Sequence, residues 1–108
     1  MVVRKVDQND LIRIINKSPI PLVLLLCNQS SVCENPKIII ERLSKEFNGK
    51  IGFLYLDVNE NPKIVRAFGI QSIPVYLFFD GGQLVNYAYN ASYMTLKSIC
   101  KQLATIIG

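Results

Sequence analysis

Residues 50–82 read K-I-G-F-L-Y-L-D-V-N-E-N-P-K-I-V-R-A-F-G-I-Q-S-I-P-V-Y-L-F-F-D-G-G. The apolar run from Ile51 to Leu56 predicts a strand. Asp57 to Pro62 opens a short helix that runs to about Ala67 and is closed by Gly69. Val75 to Phe79 predicts a second strand, and Asp80-Gly81-Gly82 is a strong hairpin signal. Gln83 to Tyr89 is then the returning strand. Pro74 stands at the entry to a strand that this order makes central. Proline cannot donate to a ladder, so it needs a reason to be there. A cis Ile73–Pro74 bond would supply one.

Upstream, Leu22 to Leu26 is a continuous apolar run, as expected of a central strand covered on both faces. Asn28-Gln29-Ser30 is a polar turn after it. Ser31 and Glu34 have capping-box spacing ahead of a helix reaching about Phe47. Pro36 falls in that helix's first turn, where proline is tolerated. Ile40, Leu43 and Phe47 form its apolar stripe. Near the start, Val2-Val3 and Val6 suggest a short strand. Asp7 is placed to cap a helix over Gln8 to Asn16, with Leu11, Ile12, Ile14 and Ile15 apolar. The last helix spans about Ser92 to Ile107, with Leu96, Ile99/Cys100, Leu103 and Ile107 toward the core. The order is βαβαβαββα. It predicts a single α/β domain over residues 1–108, a mixed central sheet with helices on both faces.

The chain has 108 residues, half of them hydrophobic, and a net charge of +4. A domain this long builds its core without disulfide staples. Lysines and arginines are scattered and not interleaved with aromatics, so no nucleic-acid partner is expected. There are no histidines and three cysteines. Cys-His and Ser-His catalytic pairs are therefore absent, and the cysteine spacing matches no zinc pattern. Neither a metal nor a cofactor is expected. The odd cysteine count favours a reducing, cytoplasmic compartment. Pro21 to Cys27 superficially suggests a lipoprotein signal. It lacks a small residue before the cysteine and has Asp7, Asp10 and Asn16 upstream, so a buried strand fits better. No segment is expected to span a membrane.

Ligands of open α/β sheets gather beyond the carboxyl ends of the parallel strands. Here that region is the turn leading to Cys33. A cysteine in the first turn of a helix is favoured as a thiolate by the helix dipole and free N–H groups. The alternative reading of Cys33 is a buried, inert side chain.

Nearly the whole chain resembles thioredoxin. Residues 50–82 are close to the second half of that family, Ile73-Pro74 looks like its cis-proline, and Asp80-Gly81-Gly82 matches its hairpin. Counting back from Pro74, Cys33 falls on the second cysteine of the family's Cys-Gly-Pro-Cys and Ser30 on the first, the attacking nucleophile. The resemblance implies a thioredoxin fold and a candidate site of Ser30 and Cys33. The departures are specific. Ser31-Val32 replaces Gly-Pro, Gln29 replaces a tryptophan, and Leu24 replaces a buried aspartate that helps move protons. A serine hydroxyl does not usefully attack a disulfide, so the ordinary dithiol cycle through residues 30 and 33 is expected to be absent. The Ser-x-x-Cys arrangement is similar to chaperone-type thioredoxin-domain proteins. Those also carry tetratricopeptide-like repeats, which these residues do not contain. Hydrogenase-accessory thioredoxin-like proteins also lack the dithiol.

Cys27 ends the central strand, six residues before Cys33. A disulfide between them needs Cα atoms within about 7 Å; otherwise Cys27 is a small core residue. Cys100, on the apolar stripe of the last helix, reads as core. In this family the backbone before the cis-proline pairs with extended peptides. The resemblance thus implies peptide binding at Ile73 and Pro74, with Val32, Val58, Tyr89 and Asn90 as a surrounding rim. Three functions follow. The favoured one is a peptide-binding or folding-assistance module with at most one-thiol chemistry, its partners proteins or extended peptides, including a cysteine-containing client or glutathione. The second is a thiol–disulfide oxidoreductase using Cys33 alone or a Cys27–Cys33 pair. The third is a redox-inactive accessory subunit.

Overall fold

The computed structural model describes residues 3–106. Its elements are β1 (Val3–Lys5), α1 (Leu11–Lys17), β2 (Leu22–Cys27), a 3-10 turn (Ser31–Cys33), α2 (Glu34–Glu46), β3 (Gly52–Asp57), α3 (Pro62–Phe68), β4 (Val75–Asp80), β5 (Gln83–Tyr89) and α4 (Tyr93–Ile106). The five strands form one sheet in the order β1-β3-β2-β4-β5. β1, β3 and β2 run parallel, whereas β4 and β5 are antiparallel to their neighbours. This is the expected mixed sheet, with the continuous apolar run at its centre. Val2 and Ile107, assigned above to the first strand and the last helix, lie outside the described residues.

Strand β2 is buried along its whole length. Its side chains alternate between two cores. Val23, Leu25 and Cys27 pack with Ile40, Leu43, Leu96, Cys100 and Leu103, the inward stripes of α2 and α4. Leu22, Leu24 and Leu26 pack on the other face with Leu11 and Ile15 of α1 and Ile64 of α3. Each aliphatic side chain buried in this way contributes about 1.5–3 kcal/mol relative to exposure. The sheet is held by two layers, and its central strand has no solvent-facing side.

Local chemistry ends the elements where the sequence suggested. Gly69 takes the left-handed conformation that closes α3, and its N–H donates to the carbonyls of Val65 and Arg66. Gly81 and Gly82 both have positive φ and form the two-residue loop between Asp80 and Gln83. A loop with positive φ at both central residues matches the twist of the flanking strands. The Ile73–Pro74 peptide bond is cis.

Two helix starts differ from expectation. Helix α1 begins at Leu11, not Gln8. The Asp7 carboxylate accepts N–H bonds from Asn9 and Asp10, so residues 8–10 are a turn ahead of the helix. The capping box of Ser31 and Glu34 does not form. Ser30 is the N-cap of the 3-10 turn and Cys33 that of α2, and neither makes a side-chain cap bond. Main-chain carbonyls serve the first amides instead: Cys33 N–H donates to Ser30 O at 3.1 Å and Glu34 N–H to Ser31 O.

Candidate functional site

The carboxyl ends of β2 and β3 place Cys27 directly beside Asp57 in the ladder. Past Cys27 the chain turns through Asn28, Gln29 and Ser30 into the 3-10 turn, which brings Cys33 back over the strand end. The Cα atoms of Cys27 and Cys33 are 5.9 Å apart and their sulfurs are bonded. Of the two sequence readings of Cys27, the disulfide is the one the structure contains. Both cysteines are fully buried.

Cys33 is not an exposed thiol at a helix start. It faces the same core as Leu25 and Cys100, because the 3-10 turn rotates it inward. The main-chain N–H of Asn28 donates to Cys33 Sγ at 3.2 Å. Asn28 Oδ1 lies 3.6 Å from the same sulfur, close enough to accept from the thiol of the reduced protein. That oxygen also accepts from the Ser30 N–H at 2.9 Å and from the Ser30 hydroxyl. Ser30 is exposed and hydrogen-bonds to neither sulfur; its hydroxyl is committed to Asn28.

Asn28 and Asp57 were missed as site residues. The signal for Asn28 was present: an asparagine two residues ahead of a serine favours an Asx turn. Asp57 is a buried carboxylate. It accepts from the Asn59 N–H at 2.9 Å and from Gln29 Nε2 at 3.2 Å. The second bond ties the turn to the end of β3. Leu24, where the resemblance expects an aspartate, belongs to the opposite core, with Leu11 and Leu77.

The third cysteine, Cys100, is free and buried. Burial, with a smaller contribution from the Glu46 charge, pushes its thiol up to about 12. It stays protonated and inert at physiological pH, as its core position suggested.

Val58 and Ile73 line one groove of about 280 Å³ with Asn28, Val65, Ile70 and Ser72. Asn90 lies at a different groove, between α2 and the start of α4. Val32 and Tyr89 line neither; they are 59% and 44% exposed. Pro74 is buried, and its carbonyl accepts the Asn90 N–H at 2.9 Å.

Comparison with known proteins agrees with this architecture. Residues 2–101 match the sequence family described as Thioredoxin-like domain. The chain is 32% identical over 102 residues to Thioredoxin 2 of Chlorobaculum tepidum, covering 94% of this chain and 92% of that protein. It is 30% identical to the thioredoxin of Chlorobaculum thiosulfatiphilum, with 94% and 93% covered. The fold also matches the crystal structure of the Malassezia sympodialis thioredoxin Mala s 13, at 22% identity. The TM-score is 0.83, with 94% of this chain and 90% of that one covered. The chain belongs to the thioredoxin-like family. Among the described residues no helix is long and apolar enough to cross a membrane.

Proposed function

We propose that this protein is a thiol–disulfide exchange protein whose two-electron couple is Cys27 and Cys33, serving cysteine-containing protein clients. The observation that carries this reading is the bond between those two sulfurs at the carboxyl end of the central strand. It gives the fold a closed pair although Ser30 stands at the family's nucleophile position. This departs from the favoured reading of the sequence, which allowed one-thiol chemistry at most.

The reaction balances with these two residues alone. In the reduced protein the Cys33 thiolate attacks a client disulfide. A new sulfur–sulfur bond forms to the client, the client's own bond breaks, and one client thiolate leaves. Cys27, giving its proton to solvent, attacks Cys33 in the mixed disulfide. The intramolecular bond closes and the second client thiolate leaves, so two electrons pass from the pair to the client. A dithiol or glutathione reverses the sequence. The Asn28 N–H supports Cys33 as attacking sulfur, because a donor 3.2 Å from Sγ favours the thiolate. A reducing compartment would keep such a pair cycling rather than permanently closed. The groove at Val58 and Ile73 is the place for an extended client segment. The main-chain groups of Ile73 have no main-chain partner among the described residues and are available for strand addition.

A second reading rests on burial. With both sulfurs at zero exposure, the bond would act as a staple and the protein would hold peptides without redox turnover. Thiol counting in glutathione redox buffers separates the two. The exchange reading expects three denatured thiols after reduction and one after oxidation, with the parent fold retained, and measurable insulin reduction that Cys27→Ala and Cys33→Ala both abolish. A pair that never opens in the folded protein, or insulin reduction unchanged by Cys27→Ala, overturns it.

A further inference from the structure

Ser30 is where the resemblance places a lost nucleophile, yet its side chain is fully employed. Its hydroxyl and its N–H both converge on one oxygen, Asn28 Oδ1. That carboxamide in turn lies against Cys33 Sγ, whose other polar neighbour is the Asn28 N–H. The two cysteines are fully buried, whereas Asn28 is only partly so and Ser30 is exposed. An attacking thiolate must approach along the axis of the disulfide, and with both sulfurs at zero exposure some of the surrounding chain has to move before it reaches one.

We infer that Asn28 and Ser30 are positioning residues that form a latch over the Cys27–Cys33 couple, setting how fast it opens to thiols. The inference rests on the exchange reading above and adds its control element. In the closed state the Ser30 hydroxyl holds the Asn28 carboxamide beside Cys33. Releasing it lets residues 28–32 swing outward, exposes the bond, and leaves the sulfur chemistry itself unchanged. The serine is then not a remnant of a dithiol motif. It replaces an exposed reacting group with a gate in front of a buried one. The Gln29–Asp57 hydrogen bond anchors the same turn from its other side.

The test is the rate at which the oxidised, folded protein is reduced by dithiothreitol. Aliquots are quenched with N-ethylmaleimide and read by mass, with thermal unfolding measured alongside. Ser30→Ala removes one donor and is expected to speed reduction roughly fivefold, the effect of one ordinary hydrogen bond. Ser30→Thr keeps the hydroxyl and is expected to stay near the parent rate. Asn28→Ala is expected to be at least as fast as Ser30→Ala, and the double variant no faster than Asn28→Ala, since both changes release the same contact. A merely structural role would lower the unfolding midpoint without this pattern of native-state rates. Equal rates for parent and Ser30→Ala overturn the latch while leaving the exchange reading intact. A parent protein in which oxidant never closes the Cys27–Cys33 bond overturns both.

Discussion

Opening the Cys27–Cys33 bond should lower the protein's stability by an amount set by the short loop it closes. The cysteines are six residues apart. For a loop of that size, the entropy removed from the unfolded chain corresponds to about 2 kcal/mol. A domain of this length loses roughly 10 °C of melting temperature for that change. By linkage the folded state resists reduction equally, which makes the couple about 45 mV more reducing in the folded than in the unfolded chain. The assay is a pair of thermal melts, oxidised and with dithiothreitol, with the bond's state checked by mass at the start of each. Cys27→Ala should melt at one temperature in both conditions, and Cys100→Ala should keep the parent's difference. Coincident melts of the parent, with the bond demonstrably closed in one sample and open in the other, would refute the loop-closure argument.

The remaining predictions concern single groups. Native oxidised protein should show no thiol reacting with an aromatic disulfide reagent at neutral pH, and denatured oxidised protein one, because burial holds the Cys100 thiol near 12; a reactive native thiol would place Cys100 outside the core. The Tyr93 hydroxyl holds Glu46 below its ordinary value; desolvation, the next largest effect, opposes it, and the Lys97 and Arg42 charges add smaller lowering contributions. A carboxylate depressed in the folded state stabilises above its unfolded pKa and loses that contribution as pH falls through the folded one. The melting temperature of the parent should thus fall more steeply than that of Glu46→Gln below about pH 4.5, and parallel curves would contradict this. Ser30→Cys should raise insulin reduction above the parent but below that of a thioredoxin with the full dithiol motif. The new thiol competes with Cys27 for Cys33, and the Leu24 position, turned to the opposite core, supplies no carboxylate. Full recovery would show those differences to be neutral.

The fold was legible because its decisive signals are local and redundant. The Leu22–Leu26 run, the two hairpin glycines and Gly69 each state their role without reference to distant residues. The site was less so. The spacing of Ser31 and Glu34 fits a capping box, but the 3-10 turn satisfies the same amides with main-chain carbonyls, and no side-chain pattern distinguishes those outcomes. Whether Cys27 meets Cys33 depends on how far that turn rotates the second cysteine inward, which is a property of the folded chain. Asp57 read only as the opening of a short helix because its importance lies in register: it is beside Cys27 only once β2 and β3 are paired.

The two ladders of β2 end at different places. On the β3 side pairing continues to Cys27 and Asp57, whereas on the β4 side it stops at Leu26 and Val75. The residue that would extend the second ladder is Pro74, which has no N–H to offer. The last residue of the most buried strand is therefore gripped from one flank only. Protection of amides against solvent exchange should grade along β2, strongest around Leu24 and weakest at the cysteine. A strand that secures the whole domain is thus built to yield first at the end where its sulfur sits, through local fraying that leaves both cores packed.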